Sequence, residues 1–179
     1  MHWTTPSRRL FLGGLFLLAS ASLASDVRAQ IGDDPFPRYS SLTLVDRDFM
    51  AEQRRSIDSL ARSRLGRQIR QDKSNDLEVL QLLVDRRAVA PTDTATLQAM
   101  GVVMGDLLSR ELDMPWVIYE DELGRSRALR VGETDYLLFP VTMISRRYEA
   151  DARVDVQAIY DRAVELMRPH LPPRPFQYD

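Results

Sequence analysis

A long helical stripe of apolar residues between positions 97 and 112 most constrains how this chain can fold. The stripe consists of Leu97, Met100, Gly101, Met104, Leu107, Leu108 and Leu112, which recur at helical spacing. A helix with such a wide apolar face must pack against other elements on several sides. We therefore predict a central buried helix that opens at Pro91-Thr92-Asp93 and ends near Asp113, because Pro115 disfavours helix in the residue before it.

Three more helices are predicted, each preceded by a polar side chain that can accept from free backbone N–H groups. The candidate N-caps are Asp46 or Asp48 for a helix over 48–71, Ser74 or Asn75 for a helix that stops before Pro91, and Asp155 for a C-terminal helix over 156–167.

Between residues 116 and 145 the pattern changes to β-branched, aromatic and alternating residues, which predicts strands. The expected elements are a strand at Trp116–Tyr119, a turn at 122–125, a second antiparallel strand over 126–131, a turn at 132–135 and a third strand over Tyr136–Ser145. Pro140 lacks an N–H, which places the third strand at an edge or at a bulge. Trp116 and Tyr119 are expected to serve core and cross-strand packing.

Helices that are separate from strands along the chain predict the α+β class. The expected fold has three helices, a three-stranded antiparallel β-meander, and a C-terminal helix packed on the sheet. One domain would span residues 46–168. An extended linker or arm at 30–45 would precede it, and a proline-rich, non-helical tail at 169–179 would follow it.

Gly101 and Gly105 lie one turn apart in the most hydrophobic predicted helix. Glycine in a helix interior costs about 1 kcal/mol relative to alanine. Two such costs on one face indicate that another backbone approaches closely there. We expect the third predicted strand, Tyr136–Ser145, to cross this face.

The first 29 residues have the order of a secretory signal: a basic start, a short uncharged apolar core and small residues. Ser7-Arg8-Arg9-Leu10-Phe11-Leu12 resembles the twin-arginine export motif, with Gly13 where a lysine is usual. Cleavage is expected after Ala29, with Ala24 as the alternative site. The resemblance implies a bacterial protein that is periplasmic or secreted, with no membrane span after the signal is removed.

Composition excludes several classes of function. The whole chain has a net charge of −2 and no cysteine, so it lacks the basic surface of a nucleic-acid-binding domain and has no disulfides. His170 is the single histidine after the signal, and no phosphate-binding loop or metal-binding motif is present. Ser126 and Ser145 have no identifiable base nearby in the sequence. We therefore predict no cofactor and no metal.

Several short segments between residues 97 and 149 resemble a known bacterial family. They are Gly101 and Gly105, Trp116-Val117, Glu120-Asp121-Glu122-Leu123-Gly124-Arg125, Phe139-Pro140-Val141-Thr142-Met143-Ile144, and Arg147 with Glu149. Together they are similar to the domain of unknown function DUF3806. The resemblance implies a shared fold over this stretch, and it implies no catalytic mechanism.

One surface cluster is a candidate site. Its members are the acidic residues Glu120, Asp121 and Glu122 with the basic residues Arg125 and Arg147. Paired carboxylates can bind a hard cation or supply an acid and a base. The alternative is a solvated hairpin end balanced by arginines, which we favour because alternation sends Glu120 and Asp121 to opposite faces.

The sequence therefore favours a non-catalytic binding or interaction module of the cell envelope. Its partner would be an envelope protein or a small ligand. The competing hypothesis is a small enzyme that uses the carboxylates Glu120–Glu122 with Arg125 or Arg147. An enzyme would gather these side chains in a concave pocket with raised carboxylate pKa values.

The export signal generates a first prediction. Replacing Arg8 and Arg9 together by lysine should abolish export, because the resemblance implies a route that reads the arginine pair. Immunoblots of periplasmic fractions would measure this, and amino-terminal sequencing would locate the cleavage site. Normal periplasmic levels of the double-lysine protein would instead indicate the general secretion route.

Overall fold

The computed structural model describes residues 36–149 and 153–173, which belong to one compact unit. The predicted signal, its cleavage site and part of the predicted arm lie outside the described residues, as does the chain after residue 173. The α+β class is confirmed, but the described chain holds five α-helices and four strands. None of its described helices is long and apolar enough to cross a bilayer.

The elements follow one another in an order close to the predicted one. They are β1 (Arg38–Ser41), α1 (Leu44–Leu65), α2 (Lys73–Asp85), α3 (Thr94–Leu112), β2 (Trp116–Asp121), β3 (Gly124–Arg130), β4 (Leu137–Leu138), α4 (Ser145–Glu149) and α5 (Val156–Met167), with short 3₁₀ turns at Pro140–Thr142 and Arg168–His170. The strands form one antiparallel sheet in the order β1-β2-β3-β4.

Helix α1 begins four residues before the predicted start and ends six residues before the predicted end. Its N-cap is Thr43, whose hydroxyl accepts from the N–H of Asp46 at 3.2 Å while the Asp46 carboxylate accepts from the N–H of Thr43 at 3.0 Å. This reciprocal pair is a capping box. Asp46 therefore lies inside the helix. Gly66 ends it by adopting a left-handed conformation, with φ at 65°.

The caps of α2 and α3 are aspartates. Asp72 caps α2, so the predicted caps Ser74 and Asn75 are wrong. Asp93 caps α3, within the predicted opening at Pro91-Thr92-Asp93, and Asp113 ends it in a left-handed conformation. The predicted inner face of α3 is confirmed by its fully or almost fully buried members Leu97, Met104, Leu107 and Leu108.

Strand β1 was missed because four polar or aromatic residues, Arg-Tyr-Ser-Ser, give no alternation of apolar residues. It forms an edge of the sheet and pairs with β2, with Tyr39 opposite Tyr119. The predicted arm therefore includes a strand. The predicted strand over Tyr136–Ser145 is wrong beyond Leu138. Pro140 cannot donate to a strand neighbour, and it opens a 3₁₀ turn instead, where no N–H is needed.

The C-terminal helix α5 packs against α2 and α3, which corrects the predicted packing on the sheet. The hydroxyl of its buried Tyr160 donates to the carboxylate of Glu111 in α3 at 3.1 Å. The predicted non-helical tail begins with the 3₁₀ turn Arg168–His170. His170 stacks on Tyr136 with ring centroids 3.7 Å apart.

Gly101 and Gly105 mark the closest approach between α3 and the rest of the domain. A Cβ on Gly101 would lie 2.5 Å from the carbonyl oxygen of Val141 and 2.6 Å from that of Pro140. A Cβ on Gly105 would overlap the indole ring of Trp116 and lie 2.9 Å from the Cβ of Pro140. The predicted close approach is therefore present, although a 3₁₀ turn and not a strand makes it.

These contacts predict that side chains at the two glycines destabilise the fold. Gly101→Val should lower the free energy of unfolding by about 1–3 kcal/mol or more, because backbone carbonyls cannot move aside as a side chain can. Gly105→Val should have a similar effect through Trp116. Chemical denaturation would measure both, with the exposed Ala95→Val on the same helix as control. Valine at 101 or 105 that costs no more than valine at 95 would contradict this packing.

A buried carboxylate joins α1 to the sheet. Asp46 is 3% exposed, and its two oxygens accept from Nη1 and Nη2 of Arg125 in β3 at 2.9 and 2.7 Å. Arg127 lies 3.4 Å from the same carboxylate. The hydrogen bonds from Arg125, opposed in part by burial, hold the pKa of Asp46 well below its usual range.

This geometry predicts an acid-sensitive contribution to stability. A carboxylate whose pKa is lowered in the folded state stabilises the fold above its unfolded pKa of about 4 and loses that effect as the pH falls towards the folded pKa. Asp46→Asn should therefore lower the free energy of unfolding by roughly 1–3 kcal/mol at pH 7.

The difference in free energy of unfolding between the parent and Asp46→Asn should shrink as the pH falls from 5 to 2. Urea denaturation at each pH would measure it. The exposed Asp48→Asn is the matched control, because it removes a charge from the same helical turn. An equal loss in both variants, or a gap that does not change with pH, would contradict the role of Asp46.

Candidate functional site

The predicted surface cluster does not form one constellation. Glu120 faces Arg38 of β1 at 3.5 Å, and Asp121 accepts from the backbone N–H groups of Leu123 and Gly124 at 2.9 and 3.1 Å. Asp121 therefore closes the β2–β3 turn. Glu122 lies exposed in that turn.

The two arginines of the predicted cluster make their contacts elsewhere. Arg125 is engaged with Asp46, as described above. Arg147 lies on α4 and donates to the carbonyl of Met143 at 2.8 Å, one turn earlier. The arrangement of these side chains matches the hairpin alternative better than a catalytic one.

One face of the sheet carries an aromatic cluster. The rings of Tyr39 and Tyr119 lie 5.8 Å apart, and Phe139 meets Tyr119 edge-on at 5.5 Å. The Arg130 guanidinium lies 3.6 Å from the centre of the Tyr39 ring. Partial burial and a hydrogen bond to Asp135 raise the pKa of Tyr39, so its hydroxyl is neutral and donates. These contacts are the cross-strand packing predicted for Tyr119.

A separate pocket of about 210 Å³ lies among α1, the α1–α2 connection, the first turn of α2 and the middle of α3. We call it the Asp76 pocket. Ile69, Val103 and Leu107 supply its apolar wall. Its charged lining consists of the carboxylates of Asp58, Asp76 and Asp106 and the guanidinium groups of Arg54, Arg55 and Arg110.

Asp106 is fixed from two sides. Arg54 of α1 donates to both its oxygens, at 2.5 and 2.8 Å, and the indole N–H of Trp116 donates at 3.0 Å. The hydrogen bonds to Asp106 raise the pKa of Arg54. This bidentate pair links α1 to α3 in a defined geometry.

The Asp58 carboxylate also accepts hydrogen bonds from within the protein. It accepts from Arg62 Nε at 2.7 Å and from the backbone N–H of Ile69 at 2.9 Å. Burial alone would raise the pKa of Asp58, but these hydrogen bonds outweigh it and lower the pKa. The carboxylate therefore stays ionised and holds the α1–α2 connection against α1.

Asp76 differs from both. It is 1% exposed, and its Oδ1 accepts from the backbone N–H of Arg70 and from Asn75 Nδ2, both at 2.8 Å. Its Oδ2 is buried and has no hydrogen-bond partner within the part of the chain that the structure describes. A buried acceptor without a donor costs about 1–3 kcal/mol, which is uncommon in folded proteins.

The arginines Arg55 and Arg110, which also line the pocket, differ in whether they form a salt bridge. Arg55 is bound to Glu52 at 2.6 Å. Arg110 is exposed, and its Nε lies 3.4 Å from the backbone carbonyl of Asp106. Among residues 36–149 and 153–173, Arg110 forms no salt bridge.

The sequence did not reveal this pocket, because its residues come from three helices and a connection. One signal was present: Asp106 interrupts the apolar stripe of α3 between Gly105 and Leu107. A carboxylate on the flank of a buried helix needs a donor from another element. Within the described segments, no group of three or more His, Asp or Glu side chains is placed to hold a metal ion.

Comparisons with known proteins give a partial match to a family model and a structural neighbour with a similar fold. The model of the domain of unknown function DUF3806 matches residues 76–160, and no curated protein matches the chain. A crystal structure from Bacteroides thetaiotaomicron VPI-5482 has a TM-score of 0.67 at 17% identity over 76% of this chain. The alignment covers 50% of that longer chain, and at this identity it shows the fold alone. Residues 76–160 therefore match the DUF3806 family model, which supports the resemblance seen in the sequence.

Proposed function

We propose that this protein is an exported, periplasmic binding module that holds a small polar solute in the Asp76 pocket without transforming it. Export is the part of this proposal that rests on the twin-arginine-like motif. Binding rests on the geometry of the pocket.

The observation that supports binding is the combination of an apolar wall with a few converging charged groups. Ile69, Val103 and Leu107 offer a surface for the apolar part of a ligand. The charged side chains around them can fix its orientation, which is the usual composition of a small-molecule site. The volume of about 210 Å³ suits a molecule of metabolite size.

The state of the carboxylates favours binding over catalysis. A general acid or base works best with a pKa near the operating pH. The pKa of Asp58 is lowered instead, and Asp106 is held by a bidentate arginine and an indole N–H. The competing hypothesis places an enzyme site at Glu120–Glu122 with Arg125 or Arg147. Arg125 forms a salt bridge with Asp46 instead, so it does not support such a site.

The proposal predicts that small solutes stabilise the protein by filling the pocket. A ligand at 100 times its Kd adds about 2.7 kcal/mol to the free energy of unfolding, which raises Tm by several degrees. Thermal melts in the presence of amino acids, amines, carboxylic acids and sugars would detect it. If no solute among these classes raises Tm at millimolar concentration, the proposal is wrong.

Two substitutions at one position test whether the pocket is responsible. Val103 is buried and lines the pocket. Val103→Phe should fill the space and abolish the ligand-induced rise in Tm, while Val103→Ala should enlarge the pocket and keep the rise. A ligand that stabilises the phenylalanine variant as strongly as the parent binds elsewhere.

A further inference from the structure

We propose that the solute of the Asp76 pocket is a short-chain aliphatic carboxylate, whose carboxylate group accepts hydrogen bonds from Arg110. This inference rests on the proposed function, since it names the ligand class for the same pocket. It follows from two observations. The carboxylates that line the pocket are paired or out of reach, and within the described chain the Arg110 guanidinium is not paired with any carboxylate.

None of the three carboxylates in the lining is available to a cation. Both oxygens of Asp106 accept from the guanidinium of Arg54, which neutralises its charge. Asp58 is paired with Arg62 in the same way, and its other oxygen accepts from a backbone N–H. Asp76 is 1% exposed and its unpartnered Oδ2 is buried, so no donor of a solute reaches that oxygen. The pocket therefore offers no accessible, unpaired negative charge.

The arginines of the lining show the complementary pattern. Arg54 uses Nε and Nη2 to bind Asp106. Arg55 uses the same two nitrogens to bind Glu52. Arg110 is exposed, and its one hydrogen bond in the described chain runs from Nε to the carbonyl of Asp106 at 3.4 Å. Both its terminal nitrogens are therefore available to a carboxylate, which a guanidinium binds in bidentate fashion.

Arg110 lies on the same face of α3 as the apolar wall of the pocket. Val103, Leu107 and Arg110 recur at i, i+4 and i+7, which places all three on one side of the helix. A helical side chain leans towards the amino-terminal end of its helix, and the contact of Arg110 with the carbonyl of Asp106 fits this direction. An anion bound to Arg110 would therefore have its apolar part beside Leu107 and the half-buried Ile69.

The size and the lining of the pocket restrict the kind of anion. A volume of about 210 Å³ accommodates a carboxylate with a short or branched chain and is too small for a long fatty acid. An inorganic anion would leave the apolar wall in contact with water, whereas an aliphatic chain would remove that surface from water. A short aliphatic carboxylate is the class that uses both the guanidinium and the wall.

The rival explanation is that Arg110 is a solvated surface arginine with no part in binding. In that case water alone would satisfy its terminal nitrogens, and a solute in the pocket would be held by its apolar part. This rival predicts equal affinity for a carboxylate and for a neutral molecule of the same shape. The two explanations therefore separate in a binding experiment with matched ligands.

Isothermal titration of the protein, purified after expression of the full chain, would compare three compounds with the same branched chain. Isovalerate is an anion, isovaleramide is neutral, and isoamylamine is a cation. Isovalerate should bind at least about tenfold more tightly than either of the others, because a hydrogen bond between two charged groups is worth that much. Equal binding of isovaleramide, or tighter binding of isoamylamine, would overturn the inference. Acetate lacks the branched chain, and acetate binding as tight as that of isovalerate would overturn it too.

A pair of charge-removing variants tests whether Arg110 is the group responsible. Arg110→Gln should weaken the binding of isovalerate by about tenfold and leave that of isovaleramide unchanged. Arg64→Gln, at an exposed site on α1 outside the lining, is the matched control and should leave both unchanged. Circular dichroism would verify that each variant is folded. Isovalerate binding that Arg110→Gln leaves intact, or weakens no more than Arg64→Gln does, would overturn the inference.

The outcomes distinguish the two proposals. If other solutes stabilise the protein in a manner that Val103→Phe abolishes, but neither isovalerate nor butanoate binds, the pocket is a binding site and the carboxylate inference is wrong. If no solute of any class stabilises the protein, both proposals fail. Binding of isovalerate that Val103→Phe leaves intact would locate the anion outside the pocket and would also overturn the inference.

Discussion

The architecture depends on how closely α3 approaches the chain that follows β4. At Gly101 the carbonyls of Pro140 and Val141 occupy the place of a side chain, and at Gly105 the indole of Trp116 does so. Trp116 then reaches Asp106 with its N–H. Because Asp106 is held from the sheet side, it presents both oxygens to Arg54 of α1. The glycine contact therefore also positions one wall of the pocket.

Helix α1 is held to this frame by two ion pairs eight residues apart. Asp46 at its start binds Arg125 of the sheet, and Arg54 at its middle binds Asp106 of α3. Residues 76–160 match DUF3806, and α1 precedes them. The pocket thus combines a wall from the matched part with a wall from α1. A change in α1 would therefore alter one wall of the pocket.

Much of the fold could be predicted from the sequence because it followed from local patterns. The apolar stripe predicted the burial of α3, and the paired glycines predicted a close approach. Features that depend on partners distant in the chain could not be predicted. Strand β1 has no pattern of its own and exists because β2 offers it an edge, and Pro140 turns the chain where alternation suggested a strand.

The pocket could not be predicted for a related reason: some of its charged side chains form salt bridges between helices and not within one helix. Arg54 and Asp58 lie four residues apart on α1, as do Asp106 and Arg110 on α3, and such pairs usually stabilise their own helix. In the folded protein Arg54 instead binds Asp106 across the two helices, and Asp58 keeps a local partner in Arg62, one turn later on α1. Within the described part of the chain, this exchange of partners leaves the Arg110 side chain without a carboxylate. Arg110 and Asp76 line the same pocket, and no guanidinium in the described chain contacts the buried Asp76 carboxylate. Local pairing would have neutralised Arg110 with Asp106, whereas tertiary packing commits Asp106 to Arg54.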